Sequence, residues 1–520
     1  MAAGAIATAD LAGAMVAGPV ATADWLVILP VALPIAVGAI LLMFRHDVRW
    51  HAALAALVLA AMVLANAQLL ARVLAEGPLV MTMGRWLPPF GISFTADVLG
   101  ASFSLVASFV ALVCVMVAAR EIDATGRRYG FFPFLMLMMA GVSGSFLTGD
   151  IFNLYVWFEV FVISSFGLIV IGSQKQQIDG ATKYAILNLV GTTLFLIATA
   201  YLYGAFGTLN MADIARKAPG LRETAPLMTI AALYLLAFGM KAAAFPVNFW
   251  LPASYHTPAV ITGALFGALL TKVGIYALLR TLVMLLPVER AALSGLIGWV
   301  AIATMILGAM GALAQADIRR MAGFVVISGV GIMLAGLALG SAEGLSGAIL
   351  YGVHSMLAMS ALYVLAAIMR DLGGSFSLRD LGSLYKNHPL LAGLAFVLIL
   401  AISGLPPGSG LWPKVLLVKA ALNLEAWWLA GAILASGFLV TIALGRVFLL
   451  AFWRDRPDTP DPVAAGSTAS AYIPLILLMV PIAMLGLFPQ PFIDIADRAA
   501  NGLLDASAYI RAVFPPAGGQ

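Results

Sequence analysis

Charged residues are scarce: Asp, Glu, Lys and Arg make up 10% of the chain, against about 25% in soluble proteins. That shortage excludes a water-soluble globular protein. Cysteine is scarcer still. Cys114 stands alone, so neither an intrachain disulfide nor a cysteine metal cluster is available, and a packed, inert thiol is expected. Metal-ligand spacings, a nucleophile elbow and a phosphate loop are missing, and glycine pairs such as GAMGAL fit helix packing instead. No segment has soluble-domain composition, so no cofactor and no enzymatic centre is expected, and any chemistry on a cofactor falls to other chains. Basic residues are missing from residues 1–24, which hold Asp10 and Asp24; that argues against a cleaved signal peptide and for a loose tail. The net charge of +4 is small and spread between loops, which fits membrane orientation rather than a nucleic-acid patch.

Apolar sequence fills the space. Hydrophobic residues make up 62% of the 520 positions, and mean hydropathy is +1.03. A transmembrane helix needs about 20 predominantly apolar residues. Runs of that kind lie near 25–44, 51–74, 97–119, 131–149, 151–172, 183–206 and 227–249. They continue near 258–286, 292–314, 321–340, 344–368, 389–424, 427–452 and 471–488. The expectation is an all-α polytopic membrane protein of about fourteen helices in one membrane domain. Residues 453–470 read as a flexible linker, and 490–515, which mix apolar residues with Asp494, Asp497, Arg498, Asp505 and Arg511, as a segment along the surface.

Basic residues orient the chain. One set of alternate loops holds Arg45, Arg49, Arg120, Arg127, Arg128, Lys175, Lys183, Arg319, Arg320, Arg370, Arg379, Lys386, Arg454 and Arg456. The other holds fewer, namely Arg85, Arg216, Lys217, Arg222 and Arg290, with loop 207–226 a basic exception. The richer set is expected on the cytoplasmic side, which places both termini outside.

Two spans are interrupted. MKAAAFPVNFWLP carries Pro246 and Pro252, and SGLPPGSGLWPK carries Pro406, Pro407, Gly408, Gly410 and Pro413. Proline removes a backbone donor and clashes with the preceding turn, so both helices should break. Simple kinks are the bland alternative. Broken backbone at membrane depth needs protein or a water-filled cavity to satisfy it, and paired breaks in two halves point to inverted repeats around a transport path.

Ionisable residues lie where charge is expensive. Glu159 is the ninth residue of a span counted from Ile151, roughly 12 Å into a hydrocarbon layer about 30 Å thick. A charge there costs at least about 2.5 kcal/mol, so it needs a partner and a use. Lys241, Lys272 and Lys414 are also at depth, His354 joins them, and His256 follows the first break. Snorkelling to the interface explains Lys419 and Lys175 well. It explains Lys272 poorly, because ITGALFGALLT and VGIYALLRTLV flank it on both sides. Alone, His354 is equally an interhelical hydrogen-bond donor. Together an acid, several lysines and a histidine make a proton path: desolvation favours the neutral amine, a nearby carboxylate favours the ammonium, and imidazole titrates near neutral pH.

GDIFNLYVWFEV, GMKAAAFPVNFWLPASYHTPAVITGALFGALLTKVGIYALLR, QADIRRMAGFVVISGVGIML and SGLPPGSGLWPK together resemble the proton-conducting antiporter-like membrane subunits. That family is shared by respiratory complex I and the multisubunit Mrp (Mnh/Pha) cation/proton antiporters. Within it the chain is most similar to the D-type members, in length, in TGDIFNLYVWFE, and in LFGALLTKVG with Phe266 where relatives often have histidine. The resemblance implies that Glu159 pairs with Lys241, that Lys272 links two half-channels, that His354 sits at the centre, and that Lys414 serves the far half-channel. His256, Lys419 and Ser355 are possible accessories. It also implies two inverted five-helix repeats, 131–286 and 287–452, each with a broken helix, after the N-terminal helices of 25–130 and before a 453–520 tail region. One departure stands out: relatives often carry a lysine a few residues after the histidine, where HSMLAMSALY has Ala358 and Met359. His354, water, Ser355 or Ser360 must then serve.

The expected function is a proton-translocating subunit of an Na+/proton antiporter in a bacterial inner membrane, a secondary transporter rather than an enzyme. Its expected partners are a larger subunit-A-like homologue and small hydrophobic subunits. The runner-up is a proton-pumping subunit of a complex I-type oxidoreductase or membrane-bound hydrogenase; an inert assembly scaffold is the third reading.

Overall fold

The computed structural model describes Met15 and residues 21–84, 86–456 and 469–515. Arg85, most of the expected N-terminal tail and residues 457–468 of the expected linker lie outside them. The helices run α1 (Trp25–Met43), α2 (His51–Glu76), α3 (Val98–Glu121), α4 (Phe131–Leu147), α5 (Ile151–Val170) and α6 (Lys175–Phe206). A short α7 (Met211–Leu221) precedes the first broken span, α8 (Leu227–Ala242) and α9 (Trp250–Ser254). Next come α10 (Val260–Leu285), α11 (Ser294–Ala314), α12 (Ile318–Leu339) and α13 (Ala342–Gly373). The second broken span is α14 (Pro389–Ser403) and α15 (Leu411–Asn423). The chain closes with α16 (Trp427–Trp453), α17 (Ile473–Leu487), α18 (Gln490–Leu504) and α19 (Ser507–Val513).

Among the described residues, ten helices are long and apolar enough to cross a membrane, or eleven if α17 and α18, bent by 83°, count as one span. The shortfall against fourteen has a physical cause. Helices α4, α8 and α14 have 17, 16 and 15 residues and reach only about 22–26 Å at 1.5 Å per residue. Two of those three are first halves of the broken spans. The all-helical expectation also misses a hairpin, β1 (Leu79–Thr82) against β2 (Ser93–Ala96), antiparallel with Leu79 opposite Ala96. Its second strand is wholly buried. The C-terminal segment does more than lie on the surface: Ala496, Ala499, Ala500 and Leu503 bury one face of α18 against α13 and α3.

Two helices form the interior. The apolar window of α10 is 100% buried and that of α13 is 94% buried. Helix α13 is a post that touches α3, α10, α12, α14, α15, α17 and α18. A helix apolar on every side is satisfied only inside a bundle, and these two carry Lys272 and His354.

Two trans-helix contacts lock α10. Glu121, at the end of α3, accepts from the Val260 and Ile261 backbone amides at 3.2 and 3.1 Å and from Arg370 at 3.2 Å. At the other end Arg280 pairs with Asp97 of the α3 N-cap, and its Nε donates to the Tyr276 hydroxyl at 3.0 Å. Arg280 is 1% exposed. Breaking a buried pair leaves an uncompensated charge, so Asp97→Ala is expected to destabilise the protein by about 3–5 kcal/mol, whereas Asp97→Leu with Arg280→Met is expected to cost only the lost α3 cap on the Gly100 amide, about 0.5–2 kcal/mol. Thermal melting of the two purified variants measures the difference.

Candidate functional site: a buried acid, three lysines and a histidine

The site begins with how α5 is held. Asp150 caps it, its Oδ1 accepting from the Asn153 amide at 2.8 Å, and Trp157 Nε1 donates to Asn153 Oδ1 at 2.6 Å. The conspicuous GDIFNLYVW motif therefore starts the helix and fixes its rotation. Glu159 follows two residues later, half-buried against α6.

Glu159 and Lys241 are brought together through a third residue. Lys241 Nζ donates to Thr192 Oγ1 at 2.8 Å, and Thr192 Oγ1 donates to Glu159 Oε1 at 2.7 Å. Lys241 is 4% exposed, and its ammonium lies 5.2 Å from the centre of the Phe158 ring. It occupies the last turn of α8, just before Ala243 takes a left-handed φ of 61° and the helix stops. Ammonium charge is favourable at that carbonyl end of a helix. Trp250 Nε1 reaches back across the break to the Met240 carbonyl at 3.1 Å. The interruption predicted from Pro246 and Pro252 is thus real, with its freed backbone satisfied by protein.

Lys272 has no exposure at all and donates to the Gly267 carbonyl at 2.7 Å. Residues Phe266–Leu270 form a π-helical turn. Such a turn shifts the hydrogen-bond ladder by one residue and recurs at functional sites. Here the carbonyl on which the ammonium rests lies within it.

His354 Nδ1 is 2.8 Å from Ser409 Oγ, and its Nε2 is buried without a protein partner. Ser409 lies in the second break, so the central histidine is held by the interruption itself. Lys414 follows that break and donates to the Ser403 carbonyl at 2.6 Å, where α14 ends before Gly404 turns left-handed at φ 79°. Lys414, Gly404 and Gly437 line a cavity of 560 Å³ whose other walls are mainly apolar. Met359 and Ala358 are buried, and Ser360 spends its hydroxyl on the Met356 carbonyl at 2.5 Å. Ser355 is buried in α13.

Two accessory candidates are less buried. Lys419 is 60% exposed and paired with Glu343 at 2.5 Å, and it lines the same cavity as Lys414. His256 caps a 370 Å³ cavity at the face carrying Lys183 and Arg320. Its Nδ1 is 2.8 Å from the Pro252 carbonyl, and its Nε2 is 3.0 Å from Arg320 Nη2. Burial, and then the Arg320 charge, push the His256 pKa below its ordinary value, which keeps the imidazole neutral and able to accept from the guanidinium.

Thr192 and Ser409 were invisible to sequence reasoning. A threonine in LNLVGTTLF and a serine between glycines carry no signal until the fold sets them against an ionisable partner. Among the described residues, no group of three His, Cys, Asp or Glu side chains could hold a metal ion.

A helical membrane chain with two broken spans and a lysine beside each break has the architecture of an ion-translocating subunit. The chain belongs to the NADH:quinone oxidoreductase/Mrp antiporter transmembrane family, whose model matches residues 148–440. It is 36% identical over 489 residues to the D-type subunit of the Na(+)/H(+) antiporter of Alkalihalophilus pseudofirmus, covering 94% of this chain and 99% of that one. It is 34% identical to the protein of the same name from Bacillus subtilis, with the same coverage. Among solved structures, a chain of the Mrp complex from Dietzia sp. DQ12-45-1b superposes with a TM-score of 0.88 at 27% identity, covering 95% of this chain and 100% of that one. A chain of respiratory complex I from Thermus thermophilus shares the fold, with a TM-score of 0.80 at 24% identity over 92% of this chain and 100% of that one.

Proposed function

We propose that this chain is the proton-carrying subunit of a multisubunit Na+/proton antiporter, a secondary transporter component rather than an enzyme. One observation carries the reading: three buried lysines donate to neutral oxygens, of Thr192, Gly267 and Ser403, instead of carboxylates. A buried ammonium held by neutral oxygens is costly to keep charged, so it can release its proton. Protons enter the series Glu159, Lys241, Lys272, His354 and Lys414 and leave by its far end. Lysines repel a dehydrated cation and offer it no anionic cage, so Na+ crossing is assigned to a partner chain.

The paired breaks support two inverted five-helix repeats, 131–286 and 287–452. With α4 and each broken span counted as crossing, and α17 with α18 as one, the described helices give fourteen spans. The basic loops place the Arg319 and Arg320 face inside a bacterial inner membrane and both termini outside. The partners are a larger subunit-A-like homologue and small hydrophobic subunits. Identity of 36% to an antiporter subunit, against a fold-level likeness to complex I, favours this reading over the redox-pump alternative.

Isolating the native complex tests it. Small hydrophobic companions without flavin or iron–sulfur absorbance are expected; co-purifying flavin and iron–sulfur chains would contradict it.

A further inference from the structure

We propose that the Thr192 hydroxyl is itself a proton-relay group between Lys241 and Glu159, acting as a one-atom switch between two charge states. The inference rests on the proton-carrying function assigned to Glu159 and Lys241 above.

Its basis is an irregularity within one helix. Helix α6 carries four threonines. Thr182, Thr193 and Thr199 each turn the hydroxyl back to the carbonyl four residues earlier, at 2.8, 2.9 and 2.8 Å. That is the ordinary way a threonine satisfies itself in an apolar helix. Thr192 does not. Its Oγ1 accepts from Lys241 Nζ at 2.8 Å and donates to Glu159 Oε1 at 2.7 Å. A hydroxyl has one proton to give, and an ammonium can only donate. With Lys241 charged, the single Thr192 proton is therefore committed to the carboxylate. Thr192 is 7% and Lys241 4% exposed, Glu159 is half-buried, and the Phe158 ring packs beside the ammonium.

That arrangement defines a balanced step. An Nζ–H bond of Lys241 breaks as its proton moves to Thr192 Oγ1, while the original Oγ1–H bond breaks and its proton moves to Glu159 Oε1. The products are a neutral amine, a neutral carboxylic acid and an intact hydroxyl whose proton now points at the amine lone pair. No electrons are transferred, and two opposite charges are discharged together. Rotation about Cβ–Oγ1 resets the hydroxyl, so the relay cannot fire again in the same direction until it turns.

The test compares Thr192→Ser with Thr192→Val in everted membrane vesicles carrying the assembled complex. Valine keeps the shape and removes the hydroxyl; serine keeps the hydroxyl. Thr192→Val is expected to lower the maximal rate of ΔpH-driven Na+ exchange about tenfold or more, leaving the Na+ KM unchanged. Thr192→Ser is expected to stay within about threefold of wild type. If the valine variant fails to assemble, Thr192→Cys, similar in size but a weak donor and acceptor, should fall between serine and background. Wild-type rates in the valine or cysteine variant, with Lys241→Ala inactive, would overturn the relay and leave the function standing. Wild-type rates in Lys241→Ala would overturn the function itself.

Discussion

Lys272→Ala is expected to abolish ΔpH-driven cation exchange in complex that still assembles. Truncation leaves the Gly267 carbonyl without its donor, which costs about 1–3 kcal/mol. It also removes an ammonium from a helix with no exposed surface, which recovers at least about 2.5 kcal/mol. The cavity left in the packed interior costs about 2–5 kcal/mol more, so the variant is expected to melt below wild type and flux is compared at equal amounts of assembled complex. Lys272→Arg sharpens the point. Guanidinium keeps the positive charge but does not deprotonate in proteins. If Lys272 passes protons, arginine should be as inactive as alanine; if it only shapes the local field, arginine should work. Flux in vesicles, normalised to complex measured by blotting, reads the difference.

Much of the site was legible in the sequence, because membrane depth makes an ionisable residue expensive and therefore conspicuous. Glu159, Lys241, Lys272, His354 and Lys414 all announce themselves against apolar neighbours, and the structure buries the last four at 8% exposure or less. Prolines in FPVNFW and LPPGSG likewise gave the breaks, since proline cannot continue a helix. What escaped were the groups that cost nothing to carry. Thr192 and Ser409 are small neutral residues, and only the packing of α6 against α8 and of α13 against the second break gives them an ionisable partner. Lys419 follows Lys414 by five positions and lines the same cavity, but Glu343 holds it at the surface, as its snorkelling length suggests. The hairpin at Leu79–Thr82 was missed because four-residue strands between long spans carry too short an alternation to stand out. Apolar runs located the helices, but ten or eleven of the described ones are long enough to cross a membrane; hydropathy measures composition, and it could not see that α4, α8, α14 and α17 stop short of a membrane's thickness.

Glu159→Ala is expected to abolish exchange as well. The carboxylate is the acceptor of the Thr192 proton at 2.7 Å, and through Thr192 it is the only acid hydrogen-bonded, among the described residues, to the Lys241 chain. Without it, the Thr192 proton has no acceptor and the Lys241 proton no destination. A positioned proton acceptor contributes about 10²–10⁴-fold, so exchange should fall to background. Structure should survive, since alanine at a half-buried helix position leaves no unpaired charge beyond Lys241, which can lie neutral. Glu159→Gln extends the test: it keeps an acceptor oxygen for Thr192 but cannot take a proton, and it should be as inactive as alanine. The direct measurement is ΔpH-driven Na+ flux in vesicles holding equal amounts of assembled wild-type and Glu159→Ala complex. A proton path through this chain predicts flux indistinguishable from vesicles lacking the complex; flux equal to wild type would contradict it.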